Sequence, residues 1–278
     1  MQLRIVASRH SAFYSPLIAC IGAGFLEREG FDPSYGVLAK GQRAQDLIRD
    51  AWPDDVANVV QSAVSSNWNP IERGESPLPV HFAQINQRDG FFLVANQPDP
   101  HFNWKKLEGA SLRADHGGQP LAMLKYAVHY NGVDWAKIHV KESGAADYGH
   151  FQAPSEGIPV ASVGLSMPPV AFSSLCARAG FPESAAGQAF LRAFSQAREW
   201  VRGAPPEEVA ASELRFFPGV ERGKLAEAIG RYQQIGCWDG GIQIPPDLYE
   251  QSLNVFEFVG GIQHRHPYHE VCIQGLTA

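Results

Sequence analysis

The chain has 278 residues, 45% of them hydrophobic and 19% charged, with a formal net charge of −6. This is a globular composition, with enough apolar material for a large core and for two lobes. No Lys/Arg run or basic aromatic stripe is present, which argues against a nucleic-acid partner, and the apolar stretches are too short to span a membrane.

Met1 leads directly into Leu3–Ala7, an Ile/Val-rich strand signal, with no charged leader and no small-residue cleavage site. As written, the sequence therefore reads as cytoplasmic, or as periplasmic if an export signal has been removed. A polar turn, Ser8–Ser15, precedes a helix from Leu17 to Glu29 that stops at Gly30. Strand signals follow at Phe31–Leu38, Val56–Val60, Pro79–Asn86 and Phe91–Ala95, with a second helix running through Leu47-Ile48. This alternation of strand and helix predicts α/β units on a parallel sheet. Ligands in such sheets bind beyond the carboxyl ends of the strands, which directs attention to Ser8–Tyr14, Lys40–Gln42 and Gln61–Ala63.

A second α/β set opens at Ala110–Arg113. Its turn, Ala114-Asp115-His116-Gly117-Gly118-Gln119-Pro120, leads into a helix beginning Leu121-Ala122-Met123, with Pro120 in the first turn, where a missing N–H costs nothing. Such a turn leaves backbone N–H groups free to meet an anionic or polar ligand, although a Gly-Gly pair also serves simply to make a tight turn. Further strand signals lie at Lys137–Val140 and Pro159–Gly164, and Met167–Cys176 reads as an extended crossing. From Phe181 onward the pattern is helical: an amphipathic helix through Phe190, Phe194, Ala197 and Val201, then helices opened by Pro205-Pro206 and Pro245-Pro246, with another between them at Leu225–Ile235.

Chemistry-bearing motifs are sparse. Cys20, Cys176, Cys237 and Cys272 are far apart and form no CxxC pair. No GxSxG, HExxH or P-loop pattern occurs, so no catalytic residue, metal ligand or cofactor is assigned. His264, His266, His269 and Glu270 are metal-ligand types, but Pro267 breaks their helical spacing, and the segment reads as a solvated or docking tail.

Several stretches together carry a resemblance: Ser11-Ala12-Phe13-Tyr14-Ser15-Pro16, Gln61-Ser62-Ala63, Leu107-Glu108-Gly109, Asp115-His116-Gly117-Gly118 and the helical C-terminal third. The chain resembles the type II periplasmic-binding-protein fold, and within it the ABC-transporter substrate-binding proteins for sulfonates, nitrate and thiamine-pyrimidine precursors. The resemblance implies two α/β lobes around a cleft: 1–86 and the mainly helical 171–278 in lobe 1, and 87–170 in lobe 2. It also implies capture of a small polar or anionic, heteroaromatic-compatible ligand, with an ABC permease as partner. The alternative is an enzyme of the same fold, working on a thiamine-pyrimidine precursor or as a decarboxylase. Expected ligand contacts are Ser11, Phe13, Tyr14, Gln61 and Ser62 from lobe 1, Asp115, His116, Gly117, Gly118 and Gln119 from lobe 2, and Gln84 and Asn86 near the crossover, where Arg88 is also placed to meet a carboxylate or sulfonate. One departure stands out. Relatives flank a strand like Asp147–Gln152 with helices, whereas Lys141–Ala146 leaves almost no room for the first and Pro154–Gly157 none for the second. Either lobe 2 is trimmed or residues are missing from the chain.

Overall fold

A computed structural model describes residues 1–49, 57–153 and 157–273. The chain runs β1 (Gln2–Ala7), α1 (Ser15–Gly22), α2 (Phe25–Arg28), β2 (Asp32–Val37), α3 (Ala44–Arg49), β3 (Ala57–Ser62), α4 (Trp68–Glu72) and β4 (Val80–Asn86). It continues through β5 (Phe91–Ala95), β6 (Ser111–Arg113), α5 (Gly118–Tyr130), β7 (His139–Lys141), β8 (Tyr148–Gln152) and β9 (Ile158–Ser162). It closes with β10 (Ser173–Ala177), α6 (Ala185–Gly203), α7 (Pro206–Glu213), α8 (Arg222–Gln234), α9 (Pro246–Phe258) and α10 (Tyr268–Val271).

Two five-stranded sheets result, ordered β2-β1-β3-β10-β4 and β7-β6-β8-β5-β9. They share one plan. In each, a single strand runs antiparallel to both of its neighbours, and it is the strand that has just arrived from the other sheet: β10 in the first and β5 in the second. The remaining paired neighbours, β2-β1-β3 and β7-β6-β8, are parallel.

The first sheet is covered on both faces, as a parallel sheet requires. Leu3, Ile5 and Val59 belong to the large core shared with α1 and α6, while Val60 and Cys176 face Ala44 and Ile48 of α3. The long amphipathic helix α6 starts where the Ser184 hydroxyl accepts from the Gly187 N–H at 3.0 Å, a side-chain cap. It buries Phe190, Phe194, Ala197 and Val201, four residues at helical spacing. The helix expected over Leu17–Glu29 is instead two, α1 and α2, because the chain turns through Gly24 at φ 74°. The expected strand start at Val56 lies outside the described residues. The tail docks rather than fraying: Tyr268 donates to the Ile244 carbonyl at 2.7 Å, and His266, nearly buried, meets Glu72 at 3.3 Å.

The second sheet is less complete. β7 reaches β8 through 142–147 with no helix between them, and Pro154, Ser155 and Glu156, part of the expected gap after β8, lie outside the described residues. All three β7 side chains are exposed. Beside them the Arg113 guanidinium lies 4.4 Å over the Phe151 ring, so one cation–aromatic pair covers sheet surface that a helix would otherwise shield.

The two links between the sheets, 87–90 and 163–172, are laced together. Val170 N–H donates to the Gln87 carbonyl at 3.0 Å, Phe172 N–H to Asn86 at 3.1 Å, and Arg88 Nη1 to the Gly164 carbonyl at 3.0 Å. A Cβ on Gly164 would collide with the Asp89 carbonyl. Gly164→Ala is therefore expected to push the links apart and cost about 2 kcal/mol, the usual penalty for overpacking a rigid backbone contact. Urea denaturation checks this; a loss under roughly 0.5 kcal/mol, the range of neutral surface changes, would show that the links yield freely.

Candidate functional site

A cavity of about 140 Å³ lies between the sheets. Ser8, Arg9 and Tyr14 reach it from beyond β1, and Gln61, Ser62 and Ala63 from the end of β3. From the other side come Phe91 of β5, Gln119 and Pro120 of α5, and Gln152 at the end of β8; Phe172 and Ser173 of the return link complete it. β1 and β3 run parallel, as do β6 and β8, so the cavity collects the carboxyl ends of strands from both sheets.

Several of the polar groups are fixed in place. Gln61 Oε1 accepts from the Ser8 N–H at 2.9 Å and from its hydroxyl at 2.7 Å, which joins the ends of β1 and β3. Ser62 Oγ donates to Ser66 at 3.0 Å. Gln119 spans the gap: Ser65 Oγ donates to its Oε1 at 2.6 Å, and its Nε2 donates to the Phe172 carbonyl. The Tyr14 hydroxyl shares the cavity lining with Gln61 and Gln152. Burial pushes the Tyr14 phenol up to about 12, with the nearby Arg9 charge pulling the other way, so it stays protonated and available as a donor. At the cavity edge, α5 begins at Gly118, whose φ of 62° suits a residue without a Cβ, and no side chain caps its first N–H groups.

Arg9 decides the electrostatics. It is exposed, and among the described residues no carboxylate pairs with it. The described lining holds hydroxyls, amides, aromatic rings and this one guanidinium, with no acid. A cation beside the positive end of a thirteen-residue helix is an anion seat.

The twelve residues expected from the sequence divide. Tyr14, Gln61, Ser62 and Gln119 line the cavity; the other eight do not. Phe13 is fully buried, its ring 5.2–5.3 Å from those of Tyr14, Phe172 and Tyr232, and its carbonyl accepts from Asn86 Nδ2 at 2.7 Å and Trp238 Nε1 at 3.2 Å. It is a packing keystone. Ser11 accepts the Phe13 N–H at 3.2 Å, capping its own turn. Asn86 is spent on Phe13 and Ser173, and Gln84 is buried within β4. Asp115 and His116 bond each other outside the lining, while Gly117 and Gly118 shape the turn into α5. Arg88 belongs to the laced links. Arg9 is not among the twelve; its signal in the sequence is its place two residues past Ala7, the last residue of β1.

Asp89 sits in the first link, buried, with Oδ1 accepting the Phe91 N–H at 2.6 Å. Desolvation raises its pKa to about 7, opposed by that hydrogen bond. An acid raised in the folded state holds its proton where the unfolded chain has lost it, so its stabilising contribution is full below about pH 4 and lost as pH rises to about 7. Asp89→Asn keeps a carbonyl for Phe91 and removes the charge. It is expected to match the natural protein at pH 4 and exceed its stability by about 4 kcal/mol at pH 8. Denaturation at the two pH values measures this, and a pH-independent difference would sink it.

No family model matches the chain. The candidate binding protein YtlA of Bacillus subtilis (strain 168) is 22% identical over 97% of this chain and 87% of its own. The crystal structure of the periplasmic aliphatic sulphonate binding protein SsuA from Escherichia coli superposes with a TM-score of 0.72 at 14% identity, covering 99% of this chain and 98% of that one. The chain has the type II periplasmic-binding-protein fold. A zinc-bound ligand-binding component of an ABC-type import system from Staphylococcus aureus shares this periplasmic-binding-protein architecture, with a TM-score of 0.70 at 9% identity over 98% of this chain and 97% of that one.

Proposed function

We propose that the chain captures a compact anion of the sulfonate class in this cleft, as the ligand-binding component of an ABC-type uptake system. The observation that carries the reading is the exposed Arg9 guanidinium, which pairs with no carboxylate among the described residues, beside the uncapped start of α5. The lobes are 1–86 with 171–278, and 87–170, closing about the laced links by hinge motion. A cavity of about 140 Å³ sets the size; a dry protein cavity of roughly 150 Å³ admits benzene. In this reading the protein works on the outer side of the cytoplasmic membrane and delivers to a permease.

The two structures compared above bring two ligand chemistries, sulphonate and zinc. The cleft favours the first, since its described lining offers no thiolate, imidazole or carboxylate, and no group of three or more metal-ligand side chains occurs among the described residues. The same lining weighs against the enzymatic alternative, because the groups present hold and orient a ligand while the four cysteines are buried.

A thermal-shift and calorimetry screen of ethanesulfonate, nitrate, benzoate and zinc chloride tests the reading. A ligand at a hundred times its Kd adds about 2.7 kcal/mol of stability, a shift easily read. Stabilisation by an organic anion supports the proposal; stabilisation by zinc alone, or by nothing in the set at millimolar concentration, removes it.

A further inference from the structure

The floor of the cleft hides a second polar group. Phe91 and Gln152 are directly opposite each other in β5 and β8, and both line the cavity. His150 lies two residues deeper on the same face of β8. Its ring stacks on that of Phe91, with centroids 4.5 Å apart and planes at 24°. His150 is completely buried, and neither ring nitrogen has a hydrogen-bond partner among the described residues. His116 meets the same Phe91 ring edge-on at 5.1 Å.

Burial, and then the neighbouring His116, push the His150 pKa down to about 3. The ring is therefore neutral at working pH and carries one N–H donor and one bare nitrogen acceptor. A buried polar atom without a partner bears its full desolvation penalty, and here two such atoms share one ring. Phe91 stands between them and the cavity. Its backbone is held on both sides, by Asp89 Oδ1 on its N–H at 2.6 Å and by the Val163 N–H on its carbonyl at 3.0 Å. Movement at this position is thus confined to the ring.

We infer that the Phe91 ring is a movable floor and that His150 forms a deeper subsite for an uncharged hydroxyl on a ligand whose anionic end sits at Arg9. A hydroxyl can donate to the bare nitrogen or accept from the N–H, so it suits either ring nitrogen in either tautomer. A cationic group does not suit it, since complete burial already disfavours positive charge at this place. The inference rests on the anion reading of the cleft and refines it to hydroxylated anions.

Calorimetry with matched pairs tests it: ethane-, propane- and butanesulfonate, each against its terminally hydroxylated counterpart. At least one hydroxylated member is expected to bind about tenfold tighter than its partner, the worth of a satisfied buried hydrogen bond. His150→Leu is expected to erase that preference while leaving the unsubstituted sulfonate within about twofold, and His150→Gln to restore part of it. Long-range 15N–1H spectra of the unmutated protein read the ring directly, whether or not a variant folds: the hydroxylated probe should move the His150 nitrogen shifts and its partner should not. A series with no hydroxyl preference, a preference that survives in His150→Leu, or unmoved ring shifts overturns the subsite and leaves the anion reading standing. Failure of every sulfonate to bind removes the anion reading, and the subsite with it.

Discussion

Arg9→Met lowers the affinity for a sulfonate or comparable anion by about a hundredfold and leaves the folding stability within roughly 0.5 kcal/mol of the starting protein. The two halves of this expectation have separate causes. The guanidinium is exposed at the mouth of β1 and, among the described residues, pairs with no carboxylate, so folding does not draw on its charge. Ligand binding does. A hydrogen-bonded charge pair inside a closing cleft contributes about 3 kcal/mol, and the α5 N-terminus alone supplies only partial charge. Arg9→Lys keeps the charge and loses the planar fork, so it should recover part of the binding and less for flat oxyanions. Calorimetry at constant ionic strength reads these differences. An Arg9→Met protein that binds within threefold of the original would show that the anion sits elsewhere.

Arg198→Leu destabilises the fold by about 4 kcal/mol. Arg198 lies on α6 and is 2% exposed. Its Nε donates to the Ile85 carbonyl at 3.2 Å and its Nη2 to Asp239 at 2.8 Å, while Nη1 reaches Gly240. One side chain thus ties α6 to β4 and to the turn after Trp238, the buried residue that holds Phe13 in place. Leucine fills most of the volume but leaves three carbonyls without their donor. Desolvation lowers the Arg198 pKa to about 10, which still keeps it charged at neutral pH. Arg198→Lys cannot span three acceptors and should recover little. Urea denaturation of both variants, with exposed Arg192→Leu as the control, measures the effect; a loss below about 1 kcal/mol for Arg198→Leu, within the range of an exposed ion pair, would contradict the role.

The parts of this fold that were legible in the sequence are those where local chemistry and tertiary context agree. Apolar strands such as Leu3–Ala7 and Phe91–Ala95, and helices opened by proline or serine such as α6, α7 and α9, follow from periodicity and capping. α4 was not legible: Trp68–Glu72 is one short turn, too brief for a period, and is held by Trp68 donating to Tyr249 at 3.0 Å. The antiparallel course of β5 and β10 was equally silent, because strand direction is set by which sheet the chain has just left. In the cleft, Tyr14, Gln61, Ser62 and Gln119 were readable from their place near the ends of strands and the start of a helix. Phe13, Gln84 and Asn86 were not, because burial by partners far away in sequence decides their contacts, and polar type alone does not report it.

The short connection after β7 has a consequence for how the molecule loosens. With edge strand β7 exposed at every side chain and Arg113 over Phe151 standing in for a helix, the second sheet has less buried surface per strand than the first, where β10 and β4 are enclosed. Local opening free energy follows buried apolar contact. Amide hydrogens of β6 and β7 should therefore exchange with solvent well before those of β4 and β10, and a protease given the native protein should cut first in 142–147. The molecule is mechanically lopsided: a firm half carries the Arg9 turn, and a softer half carries the start of α5 that comes to meet it.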